Sequence, residues 1–63
     1  MTSYEVEIPV RGEQGIIIGV DGSDTTTELL VNGATSRLSI PELAQLIASL
    51  STALSVAIQN ERG

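Results

Sequence analysis

The chain has few residue types with which to do chemistry. Its closely spaced carboxylates are the pairs Glu5/Glu7 and Asp21/Asp24. General acid–base catalysis by such a pair needs one member held where its pKa is raised. Glu5 and Glu7 alternate with apolar residues, and Asp21 and Asp24 flank Gly22-Ser23, so both pairs read as solvated. Hydroxyls are abundant at Ser23, Thr25 to Thr27, Ser36 and Ser39, yet the chain has no histidine, lysine or cysteine to activate one. No catalytic residue is expected, and no enzyme activity.

Metal and cofactor signals are equally thin. Asp21-Gly22-Ser23-Asp24 has the two carboxylates and the glycine of a calcium-loop fragment. A complete loop needs further oxygen ligands and a terminal glutamate at fixed spacing, which Thr25, Thr26, Thr27 and Glu28 do not supply, so the segment reads as a turn. Ile18-Gly19-Val20-Asp21-Gly22 ends a strand on an acid-glycine pair, as some phosphate-binding folds do, but those folds need larger sheets than 63 residues can build. The expectation is no metal and no cofactor. Tyr4, Arg11 and Arg37 are the residues that would meet a small molecule if one bound between subunits.

Composition narrows the class further. A chain of this length forms one domain and buries only about 60 % of its unfolded surface, so as a monomer it is marginal. Disulfides, a metal or oligomerisation usually compensate. Without cysteine or histidine, oligomerisation is left. The chain is 41 % hydrophobic with mean hydropathy +0.23, and Tyr4 is its one aromatic residue, so it is folded around aliphatic side chains. Its net charge of −5 and lack of stacking residues oppose a phosphate backbone, and nucleic acid is not expected as a partner. The start, MTSYEVEIPV, has no basic and then apolar run of a secretory signal, which makes the cytoplasm the expected compartment.

Periodicity supplies the elements. In YEVEIPV, residues 4–10, apolar and polar residues alternate, which predicts a strand with Tyr4, Val6, Ile8 and Val10 on one face. Pro9 lacks an N–H and marks an edge or a frayed end. Residues 11–15, RGEQG, form a turn. The β-branched run IIIGV predicts a second strand over 16–21, with Ile17 on the face opposite Ile16, Ile18 and Val20. A third strand covers 25–31. Asn32-Gly33 is a two-residue hairpin signal, which would set Val31 opposite Ala34, Leu30 opposite Thr35 and Leu29 opposite Ser36. Residues 34–38 are then either a fourth strand or an extended lead into a helix over 40–60. Ser39 and Glu42 fit a capping box, Pro41 falls in the first turn, and Leu38 and Leu43 form a hydrophobic staple. The expected fold is α+β, one domain over 1–63: an antiparallel three- or four-stranded meander with one long C-terminal helix packed on the sheet.

That helix carries no charge between Glu42 and Glu61. Leu43, Ile47, Leu50, Leu54 and Ile58, with Leu46, Ala53 and Ala57 beside them, form a broad apolar stripe. Ala44, Ala48, Ser51 and Ser55 form a row of small residues, and Gln45, Ser49, Thr52, Val56 and Gln59 complete a neutral face. The favoured reading sets the stripe on the chain's own sheet and the small row, with Ile17, against a second copy in a two-fold dimer. A serine-rich outer face without a partner is the plainer alternative. A membrane segment is disfavoured, because Leu43 to Ile58 spans 16 residues against the roughly 20 needed to cross and has no basic flank.

Six of the eight acids fall in the strand half. Glu5, Glu7, Asp21, Asp24 and Glu28 read first as a solvated face, and otherwise as a docking surface for a basic protein partner. The order of elements and the Leu38-Ser39-Ile40-Pro41-Glu42-Leu43 junction resemble small bacterial and phage proteins that join a β-meander to one C-terminal helix. That resemblance implies a cytoplasmic homodimer and carries over no ligand and no site residue. The expected function is a non-enzymatic homodimeric interaction or regulatory module. The alternatives are a small acidic inhibitor of a larger host or defence protein and a small-molecule binder at a subunit interface.

Overall fold

A computed structural model describes residues 2–63, as four strands followed by one helix. The strands are β1 (Tyr4–Ile8), β2 (Ile16–Val20), β3 (Thr27–Val31) and β4 (Ala34–Leu38), and the helix is α1 (Ile40–Arg62). They form one antiparallel sheet in the order β1-β2-β3-β4. The fold is therefore α+β with the element order expected. Residues 34–38 are a true fourth strand.

Local chemistry accounts for each boundary. β1 lies at the sheet edge and stops at Ile8, one residue before Pro9, where the missing N–H would otherwise break the ladder. β3 begins at Thr27 rather than Thr25. The amides of Thr25 and Thr26 both donate to Asp24 Oδ1, at 2.7 and 3.1 Å, so a side chain holds donors that a strand would need. Asn32 and Gly33 have φ of 52° and 84°, the two positive values of a type I′ turn. The register that follows pairs Val31 with Ala34, Leu30 with Thr35 and Leu29 with Ser36, as the hairpin signal requires.

Register sorts the side chains onto two faces. Val6 pairs with Ile18, Ile8 with Ile16, and Ile18 with Leu29. One face thus carries Tyr4, Val6, Ile8, Ile16, Ile18, Val20, Leu29, Val31 and Leu38. The other carries Glu5, Glu7, Ile17, Glu28, Leu30, Thr35 and Arg37. Thr27, which the ladder sets between Val20 and Leu38 on the apolar face, is the one buried residue among those described.

The helix start is the capping box read from the sequence. Ser39 N donates to Glu42 Oε1 at 2.9 Å, and Glu42 N donates back to Ser39 Oγ at 3.4 Å. Pro41 occupies the first turn, Arg62 the last, and Gly63 caps the C-terminus through its amide to Gln59 O at 3.0 Å. The helix runs 23 residues, about 34 Å, two residues past the expected end.

The expectation that α1 packs across the sheet is not met. Its one substantial contact with the sheet is to β4, the strand it grows from, and no residue of it is buried. Leu43 and Leu46 at its base are half-buried, while Ile47, Leu50 and Leu54 stand 58–62 % exposed. The cause is the connection. Ser39 alone separates β4 from α1, whereas helices that fold back over a sheet usually leave the strand through a loop of two or more residues.

The consequence is an elongated chain, 46 × 27 × 18 Å, with a radius of gyration of 13.8 Å, where about 11 Å is usual for a compact domain of this length. No hydrophobic residue among those described is buried. The surface is 5189 Å², about 1,300 Å² more than a compact monomer of 6.6 kDa exposes.

Two substitutions test these local arguments. Gly33→Ala should destabilise the protein by about 1 kcal/mol or more in chemical denaturation, because its φ of 84° suits glycine while the space around a new Cβ is open. Ser39→Ala should cost about 1 kcal/mol and lower the helical circular dichroism signal. An unchanged melting curve would detach the cap from helix stability.

Candidate functional site

Two surfaces could carry function: the polar end of the sheet and the free helix. At the sheet end, register lays Glu5, Gly19, Glu28 and Arg37 in one row across all four strands. Gly19 places no side chain in that row, and a shallow open depression of about 730 Å³ results. Asp21, Asp24, Tyr4 and Arg37 also border it. The structure therefore gathers four of the five acids singled out in the sequence, Glu5, Asp21, Asp24 and Glu28. Glu7 stands apart, its carboxylate lying 2.9 Å from where a Cβ on Gly15 would sit.

What these acids contact explains most of them. Asp21 Oδ1 accepts from Ser23 N at 3.0 Å and Ser23 Oγ at 2.8 Å. Asp24 Oδ1 accepts from two backbone amides, and its Oδ2 accepts from Arg37 Nη2 at 3.0 Å. Both are side-chain-closed turns of the kind aspartate makes readily. Glu28 Oε1 lies 4.0 Å from Arg37 Nη1. Ser3 Oγ joins the N-terminal segment to the turn by accepting from Gly22 N at 2.9 Å.

The bonds leave an electrostatic signature. The backbone amide of Ser23, then its hydroxyl, holds the Asp21 carboxyl below its ordinary 3.8. The Thr26 amide comes first in lowering Asp24, with the Thr26 hydroxyl and the Thr25 amide behind it, and the Arg37 charge contributes least. Glu42 is lowered by the Ser39 amide first and its hydroxyl second. All three shifts favour the ionised form, the reverse of what a general acid at neutral pH requires.

Arg37 is tied to Asp24 and borders Glu28, so the depression presents no unopposed cation to an anionic ligand. Among the described residues no group of three or more acidic, histidine or cysteine side chains converges as a metal site. Arg11, in the β1–β2 turn, is outside this depression, and Tyr4 and Arg37 border it from opposite edges of the sheet with their side chains on opposite faces, so the three are not brought together.

The helix presents the larger surface. Ala44, Ala48, Ser51 and Ser55 are all exposed. Ile17 is half-buried on the sheet face that also holds Leu30, with which it pairs. Within one chain the small row and Ile17 are not brought together, since α1 meets the sheet only along β4 to any extent. The sequence missed the exposure of Ile40, 65 %, and of the apolar sheet face. The one-residue connection at Ser39 was the signal for both. By length and composition α1 is also apolar enough to cross a membrane, and its 23 residues remove the objection based on sixteen.

Comparison with known protein families, with curated proteins and with solved structures returns no match. The likeness to small meander-plus-helix proteins is thus one of element order.

The aspartate turn gives a pH test. Carboxyls lowered on folding add stability that is full above their ordinary values of 3.8 for Asp24 and 4.5 for Glu42, and that is lost as pH falls through the folded values. Asparagine can close the same turn without titrating. Between pH 6 and pH 3, approximately the acidic limb for carboxylates, the melting temperature of Asp24→Asn should fall less than that of the unmodified chain. Parallel curves would contradict an electrostatic role for this turn.

Proposed function

We propose that this chain is a non-enzymatic interaction module that works as a self-associated homodimer, with the free helix as its assembly element. One observation carries the reading. The single chain buries none of its described hydrophobic residues and leaves ten large ones exposed, six of them on α1. A stable domain needs two packed layers around a core, and one copy of this chain supplies a sheet and a stalk. A second copy offers the same two surfaces, and two-fold symmetry lets each be covered by the same contact.

The neutral outer face of α1 favours protein over lipid as the cover. A spanning helix is apolar all round, whereas Gln45, Ser49, Thr52 and Gln59 make the face opposite the stripe polar apart from Val56. At the sheet end, Asp21 and Asp24 are engaged by their own turns and Asp24 and Glu28 by Arg37, which supports a structural use for these three.

Sedimentation equilibrium at micromolar concentration should give twice the 6.6 kDa chain mass. Leu50→Glu, at mid-helix, should shift the protein towards monomer. A monomer for the unmodified chain overturns the proposal, and flotation with neutral phosphatidylcholine vesicles instead of self-association would assign the helix to the bilayer.

A further inference from the structure

The exposed stripe of α1 has a spacing that specifies more than contact. Ile40, Leu43, Ile47, Leu50, Leu54 and Ala57 follow one another at alternating steps of three and four. In a heptad frame, Ile40, Ile47 and Leu54 take the first core position, a, and Leu43, Leu50 and Ala57 the second, d. Among parallel coils, β-branched residues at a with leucine at d favour two strands over three, a pattern that Ile40, Leu43, Ile47 and Leu50 follow and Leu54 and Ala57 do not. Gln45, Thr52 and Gln59 all fall at f, the outermost position. Ala44, Ser51 and Ile58 flank the seam at e, and Leu46 and Ala53 flank it at g, so no charge opposes close approach. Ala48 and Ser55 fall at b, beyond its edge.

Resting on the self-association proposed above, we infer that the second copy joins through this Ile40-to-Ala57 seam in parallel, with both sheets at the same end and their apolar faces turned towards each other. Two features of the chain select the parallel arrangement. Both uncovered surfaces, the helix stripe and the face bearing Tyr4, Ile8 and Val31, lie on a chain whose sheet sits at the helix N-terminus. Parallel pairing brings the two sheets to the same end of the seam. Antiparallel pairing would instead bring the polar end Gln59–Arg62 of one helix to the apolar sheet of the other.

Area supports a partner of this kind. The chain's surplus of about 1,300 Å² exceeds the roughly 800 Å² that each partner gives to a standard interface. The seam itself is only two and a half heptads long, short of the three to four that sustain a coiled coil on helical contacts alone, so the sheet faces are part of the same interface.

The chain has no cysteine, so a single introduced thiol reports one position. In a parallel pair Ala57 meets its own symmetry mate, while in an antiparallel pair it meets the other end of the seam. Under mild oxidation Ala57→Cys should form a disulfide-linked dimer at least about tenfold faster than Gln59→Cys on the outer face, because the paired thiols share a high effective concentration. Circular dichroism and sedimentation of the reduced variants establish that each keeps its fold and its mass. A dimer whose Ala57→Cys thiols fail to link, or link no faster than Gln59→Cys, overturns the parallel seam and leaves self-association standing. A monomer overturns both.

Discussion

The structure depends on how the chain passes from strand to helix. Leu38 is the last residue of β4, Ile40 the first of α1, and Ser39 between them is already the helix cap. Its amide is held by Glu42 and its hydroxyl accepts from the Glu42 amide. With the single connecting residue fixed in this way, no loop is left in which the chain could turn back over the sheet, and the helix meets the sheet mainly at β4. Everything unusual about the molecule follows from that junction. The helix has no layer beneath it, the sheet has no layer above it, and apolar side chains that would form a core stand in solvent.

Such an arrangement is expensive for one copy. Exposed aliphatic surface forgoes roughly 25 cal/mol per Å² of transfer free energy, and a chain of 63 residues has little surplus from other sources. Beyond the strand ladder, the remaining interactions are an N-cap, a type I′ turn, two aspartate-closed turns, the Ser3–Gly22 bond and the Arg37–Asp24 pair, which is a solvent-exposed contact of small worth. These define geometry well and contribute modest stability. A tightly specified backbone without a core is the observation on which the proposed self-association rests, since the protomers of obligate dimers are often not stable alone.

Much of the fold was legible because its signals are short-range. Alternation in residues 4–8, the β-branched run at Ile16 to Ile18, Asn32-Gly33 and the Ser39–Glu42 box each act within a few residues, and each appears where expected, down to the pairing of Leu29 with Ser36. Even the late start of β3 has a local cause, in Asp24. What escaped was the placement of the helix, because amphipathicity states that a stripe must be covered and is silent on which chain covers it. The connection length did contain the answer. A strand ending at Leu38 and a cap at Ser39 leave no loop, and that conflict outweighs the preference of a stripe for the nearest sheet. Of the site, the acids were visible one by one, but their gathering around Gly19 needed the register of four strands.

The neutral helix face is the last constraint to interpret. An exposed helix normally carries alternating glutamate and lysine for solubility, and α1 carries none between Glu42 and Glu61. Charges near an interface set which partners are rejected as much as which are accepted, and coiled coils use their flanking positions for this purpose. Here those positions hold Ala44, Leu46, Ser51, Ala53 and Ile58, which reject nothing on electrostatic grounds. In the proposed pair, specificity would then fall to the sheet. Its charged row of Glu5, Glu28 and Arg37 lies on the face opposite the apolar one, so it can border an interface without being buried in it. In the proposed dimer the helix would provide area and the sheet selectivity.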